Sequence, residues 1–568
     1  MNEPTGTPTG TRATRSADGL EFASPDGRVW ERDVDHQAGP RAPMMRTLFD
    51  DAFEAGTNRA FERLGAPLSH GEGRHINGWS YLRLVPAGAP DKPGAGGPPP
   101  PFVLKVLTRV VPELRRRNRI ARDVVDNERW MEDVRAWWEE RPRWESAFRA
   151  RQAIDLDRLD DTALAGEVTN SVDEGLRMLV CHFELIPPGA GVGMAAVKAV
   201  QLGLEPIVVP DALQGTSTST AGPRALVARI AAALDAVGAG PISTLAEACA
   251  ASAEAASLID EHLGTYGWRL LGDDLDAPTL AESPDVLARA ITAARGSGGA
   301  TPAGNTNDTG DRIAALVARV PAAERDEFER LLRNAGDCYE MLDDNSSLTC
   351  WGLGVARRTL LEAGRRLVER GVLASAEELW LLDTAEVAAA LRGDSTVTRD
   401  ELDRRAADFE VAKAADPPSV VGGEPAPPPD PSVFPSGLRA IAEAVGLYLS
   451  LRFPPEDERA DTGRVEIDGR VVANGHGIGD SVATGRAVVA TTADKALDRL
   501  QPGDVLVCPV TNPAYNVVFP IAAAVVTAAG GPFGHTAVTA REVGIPAVVG
   551  IGDLSVIPDG AQISVVSR

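Results

Sequence analysis

A histidine placed between a glycine turn and the start of a helix is the most chemically loaded feature of this chain. In the run VVTAAGGPFGHTAVTAREVGIPAVVG, residues 525–550, an apolar strand ends at Gly530-Gly531, a tight turn presents His535, and a helix is expected from Thr536 to Val543. These pieces suit a phosphorylated imidazole. Glycines let backbone N–H groups approach phosphate oxygens, and a helix N-terminus supplies unpaired donors and positive potential. An imidazole neutral near pH 7 is also a nucleophile that needs no separate base. His535 is therefore the candidate catalytic residue, with Gly530, Gly531 and Gly534 as the glycine frame around its phosphate. Arg541 and Glu542, one to two helical turns on, are supporting residues, either as an ion pair that orients the helix or as phosphate contacts.

No other residue set offers a comparable frame. His36, His70, His75, His182, His262 and His476 show no metal-ligand spacing and read as surface or satisfied core residues. Cys181, Cys249, Cys338, Cys350 and Cys508 lie far apart with no C-x-x-C pair, so neither a zinc site nor a disulfide scaffold is expected, and a reducing cytoplasm is the simplest home. GAGVG at 189–193 follows Pro187-Pro188 rather than a strand and lacks the Gly-Lys-Ser/Thr ending of a nucleotide loop, so it reads as a helix–helix connection. Residues 114–123 concentrate five arginines; an anionic acceptor is conceivable there, but a solvated helix face is the simpler reading.

The elements that must carry His535 follow from pattern. A chain of 568 residues has room for two to four domains. Its formal net charge of −24 opposes attraction to nucleic acid or anionic lipid, so neither is expected as a partner. The polar start reads as a disordered leader over residues 1–25. Residues 26–410 show helical periodicity, as at 355–371, interrupted by low-complexity loops at 87–101 and 295–311. All nine tryptophans fall at or before Trp380 and read as packing anchors of this helical body. A Pro-rich linker and connecting helix occupy 411–474. From 475 to 568 the texture changes to short β-rich runs at 486–491, 504–508, 522–527, 546–550 and 562–566 with helices between them, a compact α/β domain. The most apolar stretch, 517–529, is too short for a membrane helix and is interrupted by Pro520.

The run from Gly530 to Gly550 resembles the phosphohistidine, or swivelling, domain of the PEP-utilising enzymes, whose usual pattern is G-G-x-x-S-H-x-A-I-x-A-R-E-x-G-I-P-A-V-V-G. Taken alone, His535 would be read as a turn residue; the length of this match reverses that preference. One departure is Gly534, where the family usually has Ser, and the resemblance makes Thr536 the substitute hydroxyl. Upstream, Thr511-Asn512-Pro513 stands where the family has T-D-P, which makes Thr511 a support and replaces the usual acid by Asn512. Trp30, Asp33, His36 and Pro43, with residues 365–391, resemble the middle region of rifampicin phosphotransferase. The resemblance implies a mainly helical acceptor-binding body with a mobile α/β phosphohistidine domain, and a kinase- or dikinase-like phosphotransferase activity. No ATP-grasp segment is recognisable and only 33 residues follow His535, so no cofactor or metal is expected on this chain. ATP and magnesium are expected on a separate ATP-grasp or PEP-type donor, as in the divided arrangement of phenylphosphate synthase, with a small hydroxyl compound as acceptor. The competing expectation is a non-catalytic binding or regulatory protein that keeps the fold.

Overall fold

The computed structural model describes residues 14–15, 20–33, 39–88, 99–272, 274–296, 307–452, 454, 462–511, 515–516 and 518–567. His36, Asn512, Pro513, most of residues 1–25 and most of both low-complexity inserts lie outside them.

Six short strands belong to the body. β1 (Thr14–Arg15) pairs with β2 (Glu21–Phe22), while β3 (Trp30–Arg32), β4 (Leu68–Ile76), β5 (Trp79–Pro86) and β6 (Val420–Val421) form an antiparallel sheet in the order β4-β5-β3-β6. Asn77 and Gly78 join β4 to β5 with φ of 50° and 83°, the positive-φ pair that matches a two-residue loop to right-handed strand twist. α1 (Pro43–Leu64) packs against β4, and the chain continues through α2 (Pro101–Val110), α3 (Pro112–Asp126), α4 (Trp130–Gln152), α5 (Asp161–Glu184), α6 (Pro188–Gln201), α7 (Val208–Ala212) and α8 (Thr218–Ala236). The body continues through α9 (Leu245–Ala251), α10 (Ala253–Tyr266), α11 (Pro284–Gly296), α12 (Asn307–Ala318), α13 (Arg325–Glu369), α14 (Thr384–Arg392), α15 (Arg399–Ala414) and α16 (Ser436–Arg452). The 45-residue α13 is the spine, about 67 Å long at ~1.5 Å per residue, and α4, α5, α6 and α8 pack along it. One helical stretch, Asp161–Gln201, is long and apolar enough by composition to cross a bilayer; most of its apolar window is buried among the other helices.

The C-terminal strands β7 (Gly463–Ile467), β8 (Arg470–Ile478), β9 (Val482–Val489), β10 (Val505–Cys508), β11 (Ala524–Thr527), β12 (Ala547–Val549) and β13 (Gln562–Val566) close a barrel in the order β10-β11-β12-β8-β7-β13-β9. Strand alternation divides its side chains: Val505, Val507, Ala524, Val526, Val548 and Val565 fill the interior. Leu506, Cys508, Val525 and Val549 turn outward beneath α17 (Ala493–Arg499) and α18 (His535–Val543) and share a core with α8, α10 and α11 of the body. The barrel is thus docked on the helices through packed apolar surface.

The five β-rich runs correspond to β9 through β13, and the helical body to α1 through α16. Several boundaries differ from the sequence reading. The β4–β5 hairpin lies inside the stretch read as helical, and Phe22, within the stretch read as a leader, is fully buried against Tyr81. The stretch read as a linker is built into the body: β6 pairs with β3, and Val433, Phe434, Leu438 and Ile441 enter its core. The barrel begins at Gly463 rather than at 475, because β7 and β8 form a hairpin over Asp468-Gly469. Residues 307–311, read as loop, open α12. Residues 189–193 are no helix–helix connection but the first turns of α6. A Cβ on Gly193 would lie 2.0 Å from the Ala444 carbonyl oxygen, and one on Gly191 would lie 2.8 Å from Cys338 and Trp130. The glycines let α16, α13 and α4 approach α6 closely.

Candidate functional site

The turn that presents His535 is held from both sides. β11 ends at Thr527, and the backbone N–H groups of Ala528 and Ala529 then donate to the carbonyls of Cys508 and Pro509. Gly530 has φ of 105°, a conformation only glycine adopts without strain. From the other side, the last carbonyls of α16 accept from the turn: Gly531 N–H donates to Arg452 O and Phe533 N–H to Leu451 O, both at 2.8 Å. Gly534 is the N-cap of α18, with φ of −71° and no side-chain cap, and His535 is the first helical residue. The imidazole therefore sits where the helix offers its free N–H groups and positive end.

Three threonines surround the ring. Thr511 Oγ1 lies 2.9 Å from His535 Nδ1 and 2.8 Å from Thr536 Oγ1, while Thr539 Oγ1, one helical turn on, lies 3.4 Å from Nε2. Thr511, Thr536 and Thr539 are all buried. The Thr536 hydroxyl thus turns to Thr511 and steadies the Nδ1 partner, rather than standing in directly for a serine at position 534. Phe519 meets the ring edge-on at 6.3 Å. Asn516 carries its Oδ1 at 3.4 Å from Thr539 Oγ1, and its buried Nδ2 has no hydrogen-bond partner among the described residues. Desolvation, reinforced by the Arg452 charge, pushes the His535 pKa down to about 3, so the imidazole is neutral across the physiological range. The shell combines a neutral nucleophile, a fixed Nδ1 side, and a neighbouring amide donor.

Arg541 and Glu542 do not pair with each other and do not face the imidazole. Arg541 makes a 2.8 Å ion pair with Asp211 and donates to the Pro532 carbonyl, and burial lowers its pKa. Glu542 accepts from the Gly215 N–H, with its pKa raised by burial, while Arg224 donates to the Glu542 carbonyl. The orienting role expected of this pair is kept, but through partners on the body and not through a bond to each other: the two side chains pin α18 to the helical body. Phe533, from the same turn, inserts between Tyr339 and Tyr448 at ring separations of 5.2 and 5.9 Å. Gly530, Gly531, Gly534, Thr511 and Thr536 do gather around His535. Arg452, Phe519, Asn516, Phe533 and Thr539 were missed; of these only Thr539, four residues after His535 on one helix face, carried a spacing signal.

Residues 500–567, which span this turn, match the family model of the PEP-utilising enzyme mobile domain. The chain carries the mobile domain of the PEP-utilising enzymes. The mobile domain and parts of the body recur in curated relatives. Chondramide synthase cmdD of Chondromyces crocatus is 28% identical over 553 residues, covering 92% of this chain and 13% of that protein. The uncharacterized phosphotransferase YvkC of Bacillus subtilis is 32% identical over 256 residues, 43% of this chain and 28% of that protein. A phosphoenolpyruvate synthase of Aeropyrum pernix is 41% identical over 113 residues, 20% of this chain and 13% of that protein. The chain therefore spans less than a third of the length of these relatives, and what it shares with phosphotransferases supports phosphoryl transfer in general.

Proposed function

We propose that the chain is a phosphotransferase subunit whose His535 takes a phosphoryl group from an ATP-grasp or PEP-type donor outside these 568 residues and passes it to a small hydroxyl-bearing acceptor. The observation that carries the reading is the neutral imidazole at the start of α18 with Nδ1 held by Thr511, which leaves Nε2 as the nucleophile. In the first step the Nε2 lone pair attacks the donor phosphorus and the donor's bridging oxygen leaves with its electron pair. In the second, the acceptor hydroxyl oxygen attacks the same phosphorus, gives its proton to solvent, and the N–P electron pair returns to Nε2. Splitting the transfer into two in-line displacements lets one mobile domain serve two distant sites at high effective concentration.

The free N–H groups at the start of α18, the Asn516 amide and the Arg452 guanidinium supply donors and positive potential where phosphate charge accumulates. ATP and magnesium belong to the donor in this reading, and the setting is cytoplasmic. Incubating the full chain with a candidate donor, magnesium and labelled ATP should give an acid-labile, base-stable adduct that is absent in His535→Ala. Retention of label in that variant would refute the assignment. Failure of any donor to label the parent would favour the alternative of a non-catalytic binding protein.

A further inference from the structure

We propose that the cleft between α2, α3 and the start of α16 is a binding site for a phosphate-bearing anion, separate from His535. The cleft has a volume of about 500 Å³, and its walls include Arg109, Arg115, Asn118, Arg119 and the rigid prolines Pro112 and Pro435. That size lies within the usual range of small-molecule sites, ~300–1,000 Å³.

The charge distribution is what singles the cleft out. The chain carries 81 acidic against 57 basic residues, and neighbouring arginines are neutralised: Arg116 pairs with Glu62 and Glu113, and so does Arg117. Arg115 and Arg119, on the same helix, have no ion-pair or hydrogen-bond partner among the described residues, and Arg109 donates only to the Lys105 carbonyl. Three guanidinium groups thus line one concavity with no carboxylate among the described residues of its walls, despite the overall excess of acid. Asn118 uses its Oδ1 to accept from the N–H groups of Gly437 and Leu438 at the start of α16, so its amide hydrogens remain available as donors. Guanidinium forks recognise phosphate oxygens bidentately, and a di- or triphosphate would match the three charges better than a single carboxylate.

The sequence reading of residues 114–123 as a solvated face holds for the exposed Arg115 and Arg119, which line the cleft with Arg109 from α2, but not for Arg117, which is buried and, like Arg116, paired with Glu62 and Glu113. The ligand class is an inorganic polyphosphate or an organic phosphate ester, two sources that share one recognition chemistry.

Calorimetric titration of the full chain with inorganic pyrophosphate, without metal, tests the site at low and moderate salt. Saturable binding of one equivalent is expected, weakened about tenfold or more in Arg115→Gln/Arg119→Gln, because each charge-assisted contact is worth a large fraction of a decade in affinity. Both side chains are exposed, so the thermal midpoint of that variant should match the parent. Binding should persist in His535→Ala, which separates this site from the proposed transfer function. Competition by adenosine monophosphate would identify an ester source, and its absence a free polyphosphate. No saturable binding, binding unaltered in the double variant, or equal displacement by a polyglutamate peptide would overturn the proposal, the last in favour of a protein-docking surface.

Discussion

Thr511 is the residue on which the chemistry of His535 turns, because its hydroxyl is shared between Nδ1 and Thr536. Thr511→Val keeps the shape and removes both contacts, so the ring loses its Nδ1 partner and the buried Thr536 hydroxyl loses its own. The expected outcome is phosphorylation of His535 slowed by about 10- to 100-fold, with about 1–2 kcal/mol lost in stability. Rapid-quench labelling alongside denaturant unfolding measures the two effects. Gly534 gives a second prediction of opposite sign. Its φ of −71° suits any L-residue, and a Cβ there would lie 3.2 Å from Gly531 O and 3.4 Å from Arg452 O, close but relieved by shifts of a few tenths of an ångström. Gly534→Ser adds an N-cap hydroxyl worth only a few tenths of a kcal/mol over glycine, so the thermal midpoint should move by less than about 2 °C. The labelling rate should be preserved or rise, since the new hydroxyl lies at the helix end that faces the phosphoryl group.

At the scale of elements, the α6–α16 contact is among the tightest backbone approaches in the body. A Cβ on Gly193 would sit 2.0 Å from Ala444 O, so Gly193→Ala must push α16 outward. A loss of about 3 kcal/mol is expected, seen as a lower calorimetric midpoint, together with faster proteolysis of the barrel's attachment, since Leu451 and Arg452 end the same helix. The sequence misled here because small residues at 189–193 carry no periodicity of their own; what fixes them as helix is the bulk of Tyr448, Trp130 and Cys338 around them. The missed hairpins are a different case. Asn77-Gly78 and Asp468-Gly469 both have paired positive φ, and N-G or D-G between apolar runs is a legible hairpin signal. The parallel strands β9 to β12 and the His535 turn were legible because buried parallel strands are near-continuous apolar runs, here punctuated by glycine, and β13, antiparallel to β7 and β9, because its residues alternate. The contacts of Arg541, Glu542 and Phe533 with the body were not, since Asp211, Gly215, Tyr339 and Tyr448 are all distant in sequence.

For the molecule as a whole, the docked barrel couples proton uptake to domain position. His535 is held at about 3 in the dock by burial and by the Arg452 charge of the body; if release from the body returns the imidazole toward its ordinary 6.5, docking is unopposed above pH 6.5 and is increasingly opposed as pH falls from 6.5 toward 3. Each pH unit in that window shifts the docking equilibrium by up to tenfold toward release. Glu542 works the other way, because burial raises its pKa above 4.5 and protonation relieves its cost in the interface. Small-angle scattering should therefore show the parent expanding as pH falls below 6.5, while His535→Gln loses that slope or reverses it. An identical profile in both proteins would remove His535 from the linkage.

One helix joins the arginine cleft to the histidine turn. α16 starts where Asn118 caps Gly437 and Leu438 and ends, about 25 Å away at ~1.5 Å per residue, where Leu451 and Arg452 hold the histidine turn. A ligand that shifts its first turn as a rigid unit would also shift its last, and thermodynamic reciprocity would make such a coupling two-way. An anion in the arginine cleft that strengthens docking by some factor must itself be bound more tightly, by the same factor, when the barrel is home. The affinity of the cleft would then report whether His535 is in its dock or away from it, without any probe being attached to the mobile domain.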